Sequence, residues 1–133
     1  RSEFIRHVDP SEEAAIRQIV EEIRPDGIIC SNDYLAARVM RVIRSMSLDI
    51  PEDIKLAGFD DVKYASLLPV PLTTIRQPCH EIGSSAIAVM VRRLSSPDRS
   101  PRDVLLNFEL VIRASSGGTS SRDEELETAA AAQ

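Results

Sequence analysis

Two dipeptides hold the side chains best suited to chemistry in this chain, Asp60-Asp61 and Asn32-Asp33. Adjacent carboxylates can bind a divalent cation, run acid–base chemistry by raising one pKa of the pair, or accept hydrogen bonds from ligand hydroxyls. The simpler account is a polar strand end whose carboxylate caps the next turn. Ligand contact ranks ahead of metal, because His7 and His80 stand alone and supply no ligand-spaced cluster. Asn32 offers donor and acceptor together, which suits a sugar hydroxyl or an amide-bearing ring. Helix N-capping explains one of Asn32 and Asp33 equally well, and both roles can coexist. Cys79-His80 has the parts of a thiolate–imidazole pair, but successive helical residues point in different directions and are badly placed for proton transfer.

Other patterns exclude more than they propose. Arg38, Arg41 and Arg44, with Arg92-Arg93, have no interleaved aromatics and acidic residues nearby, so a solvated face or protein contact outranks a phosphate track. No G-x-x-x-x-G-K-[ST], G-x-G-x-x-G or G-x-S-x-G occurs. The spacing also departs from a phosphoacceptor receiver domain, whose paired acids follow the first strand rather than the third. Net charge is −5, of which the segment from Gly117 onward, with one arginine and four acids, carries −3. A nearly neutral body is a poor match to a polyphosphate, so nucleic acid is not expected as a direct partner.

Apolar periodicity shows which elements must position these residues. Phe4-Ile5 and Val8 predict a short strand. Asp9-Pro10-Ser11-Glu12 predicts a helix start, with Asp9 as cap and Glu12 completing a capping box. Ile16, Ile19, Val20 and Ile23 form a helical stripe, ended by Arg24-Pro25-Asp26-Gly27. Gly27 to Cys30 reads as a strand covered on both faces. Asn32-Asp33 opens a second helix with Leu35, Val39, Val42, Ile43 and Met46 on its apolar side. Ile54 to Phe59 reads as a third strand running into Asp60-Asp61. This alternation predicts an α/β fold, a parallel sheet with crossover helices, in which ligands bind where strands end and helices begin. Further along, Leu72 to Ile75 is a short extended crossing and Cys79 to Leu94 a helix. Val104-Leu105-Leu106 and Leu110-Val111-Ile112 predict a closing pair of strand segments. Residues 117–133 lack a core-forming pattern and are expected to be disordered or a frayed helix.

The chain is 133 residues, 43% hydrophobic and 28% charged, one domain's worth of ordinary globular composition. Its apolar runs are too short for a membrane span, and no secretory leader opens it. Cys30 and Cys79 read as reduced thiols of a cytoplasmic protein.

At this point the residues resemble a known family. Pro25 through Asp33 resembles the P-x-A-I-x-x-x-N-D-x-x-A segment of lactose/galactose-repressor-type (LacI/GalR) transcriptional regulators. Ile50-Pro51-Glu52-Asp53-Ile54 through Gly58-Phe59-Asp60-Asp61 resembles that family's vPeDisvvGFDd. Pro71-Leu72-Thr73-Thr74-Ile75-Arg76-Gln77-Pro78, Gly83 and Leu110 through Ser115 continue the match in order, over about residues 1–116.

The resemblance implies the C-terminal lobe of a periplasmic-binding-protein-like (type I) fold, with no catalysis and no cofactor or metal. It implies a small-molecule effector, a sugar or purine-like compound, bound between two lobes. Asn32, Asp60 and Gln77 match positions that hydrogen-bond the effector, and Cys79 and Ile82 fall where apolar side chains line the pocket. Lobe closure would then control DNA binding in a homodimer formed through about Asp33–Met46 and Val62–Leu68. Operator DNA would be contacted only by an N-terminal headpiece that this chain lacks. The helix at about 79–95 would normally pack in a first lobe that is also absent, so it is expected to fold back onto its own lobe or to bury itself against a second chain. The alternative is a sugar-binding protein of a transport system sharing the fold.

Overall fold

A computed structural model describes residues 4–98, 100 and 102–118; the disorder expected of the tail falls, for 119–133, outside these described residues. Residues 4–8 form no strand. Phe4 and Ile5 are exposed, because none of the described strands runs beside them to complete a ladder. The first helix, α1 (Glu13–Ile23), starts later than predicted. Asp9 closes an Asx turn instead of capping it, its Oδ1 accepting from the Ser11 N–H at 2.8 Å and the Ser11 hydroxyl at 2.6 Å. Arg24 ends α1 in the left-handed region, at φ 48°, donating its N–H to the Val20 carbonyl at 2.9 Å.

Strand β1 (Gly27–Ile29) leads to α2 (Asp33–Ser45), which leads to β2 (Lys55–Ala57), parallel to β1 in the register Gly27 to Lys55 and Ile29 to Ala57. Beyond Ala57 the chain pairs on its other side. Gly58 N–H donates to Thr73 O and Asp60 N–H to Ile75 O, both at 2.9 Å, making a parallel neighbour of β3 (Thr74–Arg76). Strand β4 (Glu109–Val111) then pairs antiparallel with β3. The lateral order is thus β1-β2-β3-β4, with three parallel members. Val104 to Leu106, expected as a further strand segment, is not one; Leu105 is 95% exposed, and an extended stretch becomes a strand only where a neighbour accepts its hydrogen bonds.

Helices α1 and α2 pack together on one face of the sheet. Ile16 and Val20 meet Ala36, Val39, Met40 and Ile43 there, over Cys30, Ile54 and Leu56 from the strands. The pleat sends Ile28 and Cys30 toward this core and Ile29 away from it, 88% exposed, so β1 is covered on one face rather than on both. The arginine face of α2 is partly paired: Arg38 donates to Pro10 O at 2.8 Å and meets Glu13 at 3.1 Å, and Arg41 also pairs with Glu13.

Helix α3 (Cys79–Ser95) lies over the predicted residues, and none of its side chains is buried. Of its two expected placements, against its own lobe or against a second chain, the first is not formed on the α1–α2 core. Its Ile82, Ala86, Val89 and Met90 side chains instead face 102–106 across an open trough of about 670 Å³. Among the described residues no helix is long and apolar enough to cross a membrane.

Candidate functional site

Because β1, β2 and β3 are parallel, their carboxyl ends fall on one edge of the sheet. Asn32 follows β1, Asp60 follows β2 and Gln77 follows β3, so the three predicted hydrogen-bonding residues share that edge. Gln77 Nε2 donates to Asp60 Oδ1 at 2.6 Å. Asn32 sits in an extended conformation as the N-cap of α2, its Oδ1 accepting from the Leu35 N–H at 2.8 Å. Capping therefore occupies the acceptor of Asn32 and leaves its amide donors for another partner.

The second member of each dipeptide does different work. Asp33 is fully buried. Its Oδ1 accepts from the Thr74 hydroxyl at 2.6 Å and its Oδ2 from the Val62 N–H at 2.9 Å. Gly58 makes room for it, since a Cβ at that position would lie 2.2 Å from Asp33 Oδ1. Asp61 is gripped by two guanidinium groups: Arg113 donates to Oδ1 at 2.7 Å and Arg76 to Oδ2 at 2.6 Å. Burial pushes the Asp61 carboxyl upward, but the hydrogen bonds and charges of Arg113 and Arg76 outweigh it and hold the pKa below the ordinary carboxylate value. Both oxygens of Asp61 are thus engaged by arginines. Among the described residues no three His, Cys, Asp or Glu side chains converge as metal ligands do.

The turn that produces this split is strained. Asp60 has φ 112° and Asp61 φ 52°, two successive non-glycine residues in the left-handed region. Such conformations cost on the order of 1–3 kcal/mol each and persist where surrounding contacts over-determine them.

The two predicted apolar wall residues, Cys79 and Ile82, both lie on α3. Cys79, the first residue of α3, is exposed, its N–H donating to the Gln77 carbonyl at 2.9 Å. Ile82 lines the trough beside α3. Sequence reasoning assigned no role to Thr74, Arg76, Arg113 or Ser115. Ser115, fully buried, accepts from the Thr73 N–H at 2.8 Å and donates to Leu56 O at 2.6 Å, tying the segment after β4 to β2. It also passed over Tyr64, which lies near enough to Asp33, Tyr34 and Asp60 that burial, followed by their charges, raises its pKa.

Arranged this way, the edge presents amide donors from Asn32, a carboxylate oriented by its Gln77 partner, and the remaining capacity of that amide. Such a set can bind a polyhydroxylated or amide-bearing small molecule and supplies no nucleophile–base pair.

Comparison with known proteins places the chain in a family. The family model described as "Periplasmic binding protein-like domain" matches residues 2–116. The ribose operon repressor of Escherichia coli K12 is 35% identical over 102 residues, 76% of this chain and 31% of the repressor. The chain therefore spans about a third of the length of such relatives. A structure from Sanguibacter keddieii assigned to the LacI family of transcriptional regulators superposes with TM-score 0.75 at 28% identity, covering 86% of this chain and 45% of that one. The complex of the transcriptional regulator CelR with cellobiose superposes with TM-score 0.71 at 26% identity, covering 79% and 32% respectively. This chain belongs to the periplasmic binding protein-like domain family, and the solved structure it resembles at TM-score 0.75 is a regulator of the LacI type.

Proposed function

We propose that this chain is the effector-sensing part of a LacI-type transcriptional regulator, binding a small sugar at the carboxyl edge through Asn32, Asp60 and Gln77. The observation that carries the proposal is the 2.6 Å Gln77–Asp60 hydrogen bond at an edge shared with Asn32. A carboxylate and two amides supply mixed donors and acceptors, and hydroxyl-rich ligands need both. A site built this way discriminates against analogues lacking one hydroxyl, because a polar group is then left unpaired. Cys79 and Ile82 belong to the apolar wall once a second lobe closes over the edge. The reading is binding without turnover, in a cytoplasmic homodimer joined through Asp33–Met46 and Val62–Leu68. DNA contact is made by a headpiece outside this chain. Two of the similar proteins support the sugar class, one named as a ribose operon repressor and the other complexed with cellobiose.

The test is a backbone and side-chain amide NMR titration with D-ribose, cellobiose and a free purine base. Millimolar binding corresponds to about −4 kcal/mol and is within reach of the method. Saturable shifts centred on Asn32, Asp60 and Gln77 are expected with a sugar. Saturation centred elsewhere, or with the purine alone, overturns the assignment.

A further inference from the structure

The hydrogen bond that orients Asp60 lies directly beside an ion pair. Asp60 meets Gln77 at 2.6 Å, and Asp61, the residue after Asp60, meets Arg76, the residue before Gln77, also at 2.6 Å. We propose that Asp61 is a positioning residue for the edge: held between Arg76 and Arg113, it fixes the left-handed turn at 60–61 that brings the Asp60 carboxylate onto Gln77. This inference rests on the reading of that edge as a binding site.

Three observations carry it. First, both residues of the turn have positive φ and neither is glycine, so something outside the turn must hold it. Second, the grip is rigid at its inner end. Asp61 is 7% exposed and Arg113 14%, and Arg113 also donates to the Leu72 carbonyl at 2.8 Å, so its guanidinium is fixed before it meets the carboxylate. The Asp61 N–H adds a longer bond to Thr74 Oγ1 at 3.3 Å. Third, the outer arm acts on the other partner. Arg76 precedes Gln77 and is braced against Glu109 of β4 at 2.7 Å, so one network fixes both ends of the Asp60–Gln77 bond. With Oδ1 held by Gln77, the other Asp60 oxygen is presented to a ligand hydroxyl. That is preorganisation, and it lowers the ordering cost of binding.

The experiment reads the Gln77 side-chain amide in the ligand-free chain, so its outcome is independent of whether any sugar binds. Asp60→Asn, which removes the charged acceptor, supplies the reference position of the Gln77 Nε2 proton resonances. Asp61→Asn is expected to move the Gln77 resonances at least halfway to the Asp60→Asn position, while the core amides of α2 and β2 stay dispersed. Arg76→Gln, which removes only the exposed arm, and Arg113→Lys, which keeps the charge and loses the fork, are expected to give intermediate shifts, larger for Arg113→Lys. They carry the test if Asp61→Asn does not fold. Gln77 resonances unchanged in the folded variants overturn the proposal. Absence of sugar-induced shifts in the unaltered protein, with the Gln77 resonances still displaced by Asp61→Asn, overturns the effector reading and leaves the positioning role standing.

Discussion

Gly58→Ala isolates the packing beneath the edge. An ideal Cβ at position 58 lies 2.2 Å from Asp33 Oδ1, 2.9 Å from Leu72 Cδ2 and 3.3 Å from Asp33 Cα. Such distances cannot persist, and neither buried neighbour is the free end of a flexible chain. Leu72 is fully buried, and the Asp33 carboxylate is fixed by Thr74 and by the Val62 N–H. Forcing the methyl in costs about 1–3 kcal/mol as overpacking. Loosening a buried hydrogen bond to a charged group costs about 1.5–3 kcal/mol more. The expected loss is therefore about 2.5–6 kcal/mol, a large share of the roughly 5–15 kcal/mol that holds a typical domain together. At roughly 4 °C per kcal/mol for a chain of this size, the thermal midpoint falls by about 10–24 °C. The assay is urea unfolding followed by far-UV circular dichroism, with Gly83→Ala as the control. Gly83 has nothing within 4 Å of an added Cβ and lies inside α3, so alanine there is expected to cost nothing. A cycle with Asp33→Ala completes the argument: once the carboxylate is gone, adding Gly58→Ala should cost at least about 1 kcal/mol less than it does alone. A Gly58→Ala protein within about 0.5 kcal/mol of the parent, or strict additivity with Asp33→Ala, refutes the reasoning.

Three further outcomes follow from the same contacts. Asn32→Ala loses the cap of α2 and should cost about 1 kcal/mol in urea unfolding, whereas Asn32→Ser keeps an acceptor and should recover most of it without recovering the sugar-induced shifts. Cys79 is exposed and Cys30 buried, with its thiol pushed up to about 12 by burial and by the Asp33 charge; a disulfide reagent at pH 8 should label one thiol at once and the second only on unfolding. Asp61 has a folded-state pKa below its unfolded value, so its contribution is present above the unfolded value and disappears as pH falls through the folded one. The stability difference between the parent and Asp61→Asn should accordingly shrink as urea midpoints are followed down through the acid range, and a constant difference would contradict the ion-pair account.

Local signals made much of this architecture legible. The stripe through Ile16 and Val20, the breaker at Arg24-Pro25, and the cap at Asn32 placed α1, β1 and α2, because each depends on neighbours within a turn or two. Asp9 was misread for the same reason: a helix cap and an Asx turn look alike until the backbone chooses between them. Pairing was not legible where it depends on distant chain. Val104 to Leu106 and Phe4-Ile5 have strand composition, but the described residues place no neighbour beside them. At the site, spacing located Asn32 and Asp60 at strand ends, and the family resemblance supplied Gln77. Spacing could not reveal the partners of Asp33 and Asp61, because Thr74 lies 41 residues from Asp33 and Arg113 lies 52 from Asp61.

Each dipeptide that looked like one functional pair is thereby divided by the backbone. Asn32 and Asp60 lie at the edge, while Asp33 and Asp61 turn inward onto Thr74 and onto the two arginines. Stability should follow the same division. Asp33→Asn places an amide donor against either the Thr74 hydroxyl or the Val62 N–H; the hydroxyl can rotate, but the backbone donor cannot, so about 1–3 kcal/mol should be lost. Asp61→Asn weakens two charge-assisted bonds and should destabilise by a comparable amount near neutral pH. Asp60→Asn, which alters a half-buried contact with one partner, should stay within about 0.5 kcal/mol of the parent while removing the sugar-induced shifts. Urea midpoints of the three variants at pH 7 decide the matter. If Asp60→Asn destabilises as much as Asp61→Asn, Asp60 is structural as well, and a site that combines a free carboxylate with an independent scaffold has to be abandoned.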